Sequence, residues 1–353
     1  MILQCSIIFV YIITFLKSLS KYKVFFLDIL LIASAALLYA FRNVMEADTI
    51  VYYTVYESFT NSFETVPTSF YGIDMGFILF MKLFATLGIP FEIFRLIVFL
   101  LSCTLIISTV KIITKNYALV FCLYLYFPFC YDSDQIRQFF AYSIVIFGLR
   151  YLFEDKRSVL KYLICIFVSS MIHITSVVFL IYLLALLPIQ KYMKPLFKGL
   201  ALICIFIVFG GGNLIGFVSR FISNSKLSLY SFESTEYRMN IYLQIFEIIF
   251  FVLFVYLDNK ILKNYEEDNN LRILNCILNL SIVFLPFILI SLSFERLMRP
   301  FIILTYCVAT IRYMDSSRKN KGLPIFIIVM LVIIRMTVSF SYILDLFNDC
   351  VLL

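Results

Sequence analysis

Apolar blocks recur along the whole chain, and they constrain its fold more than any other feature of the sequence. No polar stretch between them is long enough to fold as a separate soluble domain. With 63% hydrophobic and only 14% charged residues, the chain could not cover a soluble core with polar side chains. Helices in a bilayer can stay apolar around their whole circumference. The sequence therefore predicts an all-α, polytopic integral membrane protein, with a single transmembrane domain over residues 1–353.

The apolar blocks predict about 10–12 transmembrane helices, including short re-entrant or broken ones, since a full crossing needs about 20 residues. The candidate spans are residues 1–16, 24–41, 92–113, 117–131, 137–153, 199–216, 240–257, 273–292, 298–313 and 324–343. Two further apolar stretches, residues 75–88 and 161–187, do not fit as complete crossings. We expect these two stretches to be re-entrant or interfacial.

The distribution of lysine and arginine predicts which loops face the cytoplasm. Successive loops can be assigned alternately to the two sides of the membrane. One such assignment places most of the 29 basic residues in short cytoplasmic loops, at residues 17–23, 111–115, 150–161, 191–198, 260–272 and 312–321. This is the positive-inside pattern of membrane proteins. The basic residues left on the predicted outer side are nearly all arginines, and they include Arg137, Arg238, Arg296 and Arg299. Arginine is the side chain best shaped for bidentate binding of phosphate.

Residues 161–187 have basic loops at both ends, so this stretch must fold back within the membrane. A turn near His173 would leave about 12 residues on each side, which reach about 18 Å into a hydrocarbon layer of roughly 30 Å. His173 is the only histidine, and serines and threonines surround it in the sequence. A lone histidine in apolar surroundings is often a packing residue, but an ionisable group at membrane depth indicates a functional polar cavity. Its imidazole is suited to proton transfer near neutral pH.

The long outer loop after residue 42 contains an aromatic and acidic pattern. Asp48, Tyr52 and Tyr56 lie at positions i, i+4 and i+8, which share one face of a helix. Carboxylates accept hydrogen bonds from hydroxyl groups such as those of sugars, and aromatic rings offer flat apolar surfaces. The same pattern fits an amphipathic surface helix with interfacial tyrosines. Both interpretations remain open at this point.

The next outer loop leads directly into an apolar helix, with Arg137 and Gln138 in the first turn. The helix dipole disfavours a cation at this position. A bound phosphate group would account for Arg137, and an arginine that reaches lipid headgroups is the alternative. Asp132 or Asp134 could cap the same helix.

The C-terminal half places further charged residues on the predicted outer side. Arg238 lies in one outer segment, and Glu295, Arg296 and Arg299 lie in a tight outer loop. The two arginines of this loop are three residues apart and could clamp a diphosphate, or Glu295 could neutralise one of them. No spacing of cysteine and histidine is typical of a metal site, so we predict neither a metal nor another cofactor.

Together these motifs resemble the EpsG/Wzy family of polysaccharide polymerases. The matching elements, in family order across nearly the whole chain, are Asp48-x3-Tyr52, Gly76-Phe77, Ile136-Arg137-Gln138-x2-Ala141, Asp155-Lys156-Arg157, Ile172-His173-x2-Ser176 and Glu295-Arg296. The first element departs from the family pattern, because it lacks the Gly-Thr-Asp and Pro-Gly-Tyr context; Ile73-Asp74-Met75 precedes Gly76 instead.

The resemblance implies a fold related to membrane-embedded GT-C-like glycosyltransferases, and a polymerase of O-antigen, capsule or exopolysaccharide repeat units. The substrate would be undecaprenyl diphosphate-linked oligosaccharide, in the bacterial cytoplasmic (inner) membrane, with the active site facing the periplasm or the cell exterior. Membrane lipids, a chain-length regulator and a flippase are the expected partners, and nucleic acid is not. His173 and Arg137 would be catalytic, and the expected substrate-binding residues are Asp48, Tyr52, Gln138, Arg238, Glu295, Arg296 and Arg299.

Two other classes of protein share these features. A flippase or transporter of the same lipid-linked oligosaccharide also needs a cationic cavity and many helices, although the sequence has no internal repeat of the kind found in many transporters. An O-antigen ligase-like transferase shares the donor chemistry and differs only in its acceptor. The sequence alone favours the polymerase without excluding these two.

Overall fold

The structure is a computed structural model, and most of the residues it describes are helical. The described residues are 12, 14–16, 25–40, 47–61, 72–153, 157–188, 192–210, 236–289, 292–315 and 322–338. No strand occurs in these ranges, so the predicted all-α fold class is confirmed. Most of the candidate span 1–16 lies outside the described residues.

The helices of the N-terminal half follow the apolar blocks of the sequence. In chain order they are α1 (Phe25–Ala40), α2 (Ala47–Asn61), α3 (Met75–Thr86), α4 (Phe91–Ile113), α5 (Tyr117–Tyr126), α6 (Phe129–Asp134), α7 (Ile136–Leu149) and α8 (Val159–Ile172). A long 3-10 segment, Ile174–Leu186, follows α8.

The C-terminal half continues with α9 (Met193–Gly210), α10 (Glu236–Leu262), α11 (Asn269–Leu280), α12 (Leu285–Ile288), α13 (Arg299–Met314) and α14 (Leu323–Val338). Short 3-10 turns at Lys263–Tyr265, Ser281–Phe284 and Leu292–Met298 connect some of these helices.

Three of the described helical stretches are long and apolar enough to cross a membrane: Phe91–Ile113, Asn269–Ile288 and Ser293–Met314. Shorter apolar helices of 10–17 residues include α7, which corresponds to the predicted span 137–153, and α8, which lies in the stretch 161–187 that was predicted to fold back. The expected membrane fold with short and broken helices is therefore confirmed. The predicted span 117–131 is interrupted at Pro128, because proline lacks an amide hydrogen and disfavours helical geometry at the preceding residue.

The chain forms two compact units. The first contains the described residues up to Ile181 and those from Thr310 to Asp315, and the second consists of Tyr182–Ala309 and Gly322–Val338. In the first unit α4 packs against α1 and α7, and α8 packs against α7 and α3. In the second unit α10 packs against α11 and α14.

The predicted fold-back at His173 is confirmed by a hydrogen bond across it. Helix α8 ends at Ile172, and His173 has an extended backbone with φ −149° and ψ 109°. The hydroxyl of Tyr162 donates to the carbonyl oxygen of Phe179 at 2.7 Å. On a continuous helix these two residues would lie about 25 Å apart. The segment after His173 therefore returns alongside α8.

Two glycines allow other helices to approach α8 closely. A Cβ added at Gly148 in α7 would lie 2.9 Å from the Cβ of Cys165. A Cβ added at Gly76 in α3 would lie 2.5 Å from the carbonyl oxygen of Met171. Because that oxygen belongs to the backbone, it cannot move aside as a side chain could. Gly76 therefore fixes how α3 meets the end of α8, two residues before His173.

Replacing Gly76 with alanine should destabilise the protein by about 1–3 kcal/mol, because the new methyl group overpacks the contact with Met171. Gly199→Ala is the matched control, since a Cβ at Gly199 in α9 would meet no atom within 4 Å. In a helix interior alanine is favoured over glycine by about 1 kcal/mol. When thermal unfolding is measured in detergent, only Gly76→Ala should have a lower midpoint than wild type. Equal midpoints for the two variants would contradict the close approach.

Candidate functional site

Asp74 occupies the N-cap position of α3, but its side chain does not cap the helix. An aspartate at this position usually accepts a hydrogen bond from an amide in the first turn. Here Oδ2 lies 3.1 Å from Nη1 of Arg137 and 3.3 Å from Nδ1 of His173. One carboxylate oxygen thus joins the start of α3, the start of α7 and the end of α8. We refer to Asp74, Arg137 and His173 as the polar centre.

Arg137, in the first turn of α7, faces inward, with 14% of its side chain exposed. Its Nη1 also donates to the carbonyl oxygen of Gly72 at 3.1 Å. Gly72 has a φ of +70°, a conformation that glycine adopts without the steric cost of a side chain. The Asp74 charge offsets the unfavourable position of a cation at the start of a helix. Asp74 therefore explains how a cation is accommodated in the first turn of α7, without a bound phosphate.

His173 is oriented by the same carboxylate, and 16% of its side chain is exposed. A carboxylate oxygen only accepts hydrogen bonds, so the contact with Asp74 places the imidazole hydrogen on Nδ1. In the neutral ring, Nε2 then carries the lone pair that can accept a proton. The polar centre can therefore act as an oriented general base next to a fixed guanidinium.

The environment of Asp74 keeps its carboxyl group ionised. Burial raises its pKa, but the hydrogen bond from His173 and the positive charge of Arg137 act in the opposite direction, with a smaller effect from the backbone amide of Ile174. Their sum holds the pKa of Asp74 below its usual value. A permanent negative charge at this position stabilises the guanidinium, and it would stabilise a protonated imidazole in the same way.

The two helices that carry Arg137 and His173 are joined one turn away from these residues. The buried hydroxyl of Ser169 in α8 donates to the carbonyl oxygen of Ala141 in α7 at 2.7 Å. The carbonyl oxygen of Ser169 accepts from the amide of His173 at 2.8 Å. Ser169 therefore links the last turn of α8 directly to the first turns of α7.

Three buried polar atoms at the start of α7 have no hydrogen-bond partner within the part of the chain that the structure describes. They are Nε of Arg137, a donor, and the Oε1 atoms of Gln135 and Gln138, which are acceptors. Burying such groups without a partner costs about 1–3 kcal/mol each. A ligand that carries both acceptor oxygens and hydroxyl donors would supply the missing hydrogen bonds.

The aromatic and acidic pattern after residue 42 forms α2, as predicted for its helical periodicity. Asp48 is half-buried and Tyr52 is buried. The ring of Tyr52 packs edge-on against Phe77, with centroids 5.6 Å apart. The hydroxyl of Tyr56 donates to the carbonyl oxygen of Ile89 at 2.7 Å. Both tyrosines thus contribute to packing, and sugar binding by Asp48 and Tyr52 stays a prediction.

The expectation that Asp132 or Asp134 caps α7 is wrong. Gln135 occupies the N-cap position, and its side chain makes no capping hydrogen bond. The carboxylate of Asp134 accepts from the hydroxyl of Thr49 at 3.0 Å, and that of Asp132 accepts from the hydroxyl of Tyr142. Both acids are buried, and their carboxylates join α6 to α2 and to α7 instead of capping α7.

The second unit contains the predicted charged residues of the C-terminal half. Arg296 is half-buried in the turn Leu292–Met298, and Arg299 is buried at the start of α13. Glu295 pairs with Arg335 at 2.7 Å. Arg238 lies in α10, and its side chain is outside the described residues. A diphosphate site at Arg296 and Arg299 stays a prediction.

Sequence reasoning did not select Asp74 as a site residue. The available signal was an acidic residue directly before the apolar run that begins at Gly76, on the same predicted outer side as Arg137. Arg335 lies inside an apolar segment of the sequence, which by itself does not indicate its partner. In both cases the partner lies more than 35 residues away in the chain, and a single sequence gives no indication of such pairings.

Comparison with known proteins identifies one family. The sequence model of the EpsG family matches residues 25–352, a range that includes the polar centre and the Glu295 turn. Comparisons with curated proteins and with solved structures give no match.

Asp74→Asn should destabilise the protein by about 2 kcal/mol near neutral pH, because the charge-assisted hydrogen bonds of Asp74 are lost. The pKa of Asp74 is lower in the folded protein than in the unfolded chain, where it is about 3.9. Asp74 therefore adds to the free energy of unfolding above the unfolded pKa, and this contribution is lost as the pH falls through the pKa of the folded protein. Thermal unfolding of both proteins from about pH 7 to about pH 3 tests this.

Asp268→Asn is the control, because Asp268 caps α11 through the amides of Asn270 and Leu271 and asparagine caps equally well. It should be nearly neutral at every pH. If the difference between wild type and Asp74→Asn already disappeared between about pH 7 and about pH 5, Asp74 would not be a permanently ionised partner.

Proposed function

Because the chain belongs to the EpsG family, we propose that it is a glycosyltransferase that polymerises polysaccharide repeat units carried on undecaprenyl diphosphate. The reaction would take place at the outer face of the bacterial cytoplasmic membrane, where the charge pattern of the loops puts the start of α7. The observation that carries the proposal is the sharing of one Asp74 oxygen by Arg137 and His173. This sharing supports the proposal because the imidazole and the guanidinium lie side by side, where they could serve as the base and the cation of a glycosyl transfer from a diphosphate.

The reaction breaks one bond and forms one. The acceptor hydroxyl of a newly flipped repeat unit attacks the anomeric carbon of the sugar that joins the growing chain to its lipid diphosphate. The bond from this carbon to the diphosphate oxygen breaks, and its electron pair leaves with the lipid diphosphate. The acceptor proton must be removed as the new glycosidic bond forms.

His173 is the proposed base. With its hydrogen on Nδ1 directed to Asp74, Nε2 can accept the proton of the acceptor hydroxyl. The resulting imidazolium is stabilised by the negative charge of Asp74, in the same way as an aspartate stabilises the histidine of other general-base pairs. A fixed partner also removes the need to orient the ring during the reaction.

Arg137 is the proposed cation for the leaving diphosphate. Its guanidinium is held by Asp74 and by the carbonyl oxygen of Gly72, while its buried Nε donor has no partner among the described residues. Phosphate oxygens accept strong hydrogen bonds from guanidinium groups. A preorganised cation beside the leaving group stabilises the charge that develops in the transition state. Gln138, with its buried unpartnered oxygen, is suited to a sugar hydroxyl.

The remaining proposed contacts are with the sugars and the second diphosphate. Asp48 in α2 would accept from sugar hydroxyls, and Tyr52 would support that helix through its contact with Phe77. In the second unit, Arg238, Arg296 and Arg299 would bind phosphate. Glu295 would bind a sugar hydroxyl.

Deletion of the gene followed by complementation tests the proposed function. Gel analysis of lipid-linked glycans should show a ladder that collapses to a single repeat unit on the outer leaflet in the deletion strain. Wild-type protein should restore the ladder. Single units that accumulate on the inner leaflet would indicate a flippase, and long chains that remain on the lipid without transfer to their final acceptor would indicate a ligase.

Complementation with Arg137→Ala or His173→Ala should restore no long chains, because each variant removes a group that acts in the transition state. The expected loss is about 100-fold or more in rate. Arg150→Ala is the matched control, since Arg150 lies at the opposite end of α7 and its guanidinium packs over the ring of Phe147. It should restore the ladder. Normal chain length with both Arg137→Ala and His173→Ala would contradict the assignment.

A further inference from the structure

A second buried ion cluster lies in the second unit, on three elements that are distant in sequence. Arg335 in α14 donates through Nε to Glu247 in α10, at 2.8 Å to Oε1 and 2.9 Å to Oε2. Its Nη2 lies 2.7 Å from Oε2 of Glu295, in the turn Leu292–Met298. The guanidinium thus uses different nitrogens for two carboxylates, which a lysine cannot do.

The cluster is buried among apolar side chains. The exposed fractions of the side chains of Arg335, Glu247 and Glu295 are 2%, 7% and 13%. The guanidinium also lies over the ring of Phe250, 5.8 Å from its centroid. Ionised groups inside an apolar helix bundle are costly, and their presence indicates a function more often than a contribution to stability.

The two carboxylates are not equivalent in what they connect. The bond to Glu247 joins two packed helices, α10 and α14, and one carboxylate would be enough for that purpose. The bond to Glu295 adds a second buried carboxylate to a single guanidinium, which a purely structural pair does not require. Its effect is to fix the turn that precedes α13 and that carries Arg296.

We propose that Arg335 is a positioning residue that holds the Glu295 carboxylate, and with it the turn Leu292–Met298, in the orientation used to bind the lipid-linked substrate. This inference rests on the proposed function, in which Glu295 contacts a sugar hydroxyl. Glu247 balances the charge of the guanidinium and orients it through a different nitrogen, Nε. Arg335 itself does not contact substrate.

Glu247 and Glu295 provide matched controls for each other, because they are the same residue type bound to the same guanidinium. The test uses full-length protein in detergent, with purified lipid-linked single repeat units as the substrate. The variants are E295Q, E247Q, R335Q, R335Q/E295Q and R335Q/E247Q. For each variant, KM, kcat and the midpoint of thermal unfolding are measured.

We expect E295Q and R335Q each to raise KM by about tenfold, and R335Q/E295Q to raise it by about tenfold rather than about 100-fold, because residues that act as a unit are not additive. E247Q should lower the unfolding midpoint and change KM less than E295Q does. R335Q/E247Q, which has the same formal net charge as wild type, should retain the high KM of R335Q.

Three results would overturn the inference: multiplicative effects of R335Q and E295Q on KM, equal effects of E247Q and E295Q, or recovery of KM in R335Q/E247Q. If R335Q does not accumulate in the membrane, R335K replaces it. The effects of R335K and E295Q on KM should likewise not multiply when the two substitutions are combined. Failure of the wild-type protein to polymerise the repeat units would contradict the proposed function itself. If wild type polymerises the repeat units but the effects of R335Q and E295Q on KM are multiplicative, only the role of Arg335 is contradicted.

Discussion

The carboxylate of Asp74 holds together three segments of the first unit that are far apart in the chain. Arg137 lies 63 residues after it and His173 lies 99 residues after it, yet both contact the same oxygen. An unpaired guanidinium in an apolar protein interior would be strongly destabilising, so the charge of Asp74 offsets the cost of burying Arg137 at the start of α7. The fold-back after α8 then presents the imidazole to the carboxylate.

The same physical constraint shapes the second unit. Arg335 lies in the apolar helix α14, where a cation can persist only with acidic partners, and Glu247 and Glu295 supply them. In the described part of each unit, an arginine is therefore held by carboxylate oxygens from other elements. In the first unit the arrangement includes a titratable base, His173, and in the second it includes a turn with Arg296. This difference suits chemistry in the first unit and substrate binding in the second.

Much of the architecture could be predicted from sequence, because it follows from local patterns. Apolar runs predicted α1 and α4 nearly to the residue, and the basic loops on both sides of residues 161–187 predicted the fold-back at His173. Arg137 was recognised because a cation at a helix start is locally unfavourable. Asp74 and Glu247 were missed as partners, since pairing between distant helices leaves no trace in one sequence. The capping role expected of Asp132 and Asp134 failed for the same reason.

Imidazole nitrogen NMR tests most directly whether Asp74 fixes the imidazole of His173 as an oriented base. Since His173 is the only histidine, protein purified without a histidine tag and labelled at histidine gives the signals of a single ring. We expect the neutral tautomer with hydrogen on Nδ1 in wild type, and loss of that preference in Asp74→Asn. Hydrogen on Nε2 in wild type, or spectra that Asp74→Asn leaves unchanged, would contradict this role of Asp74.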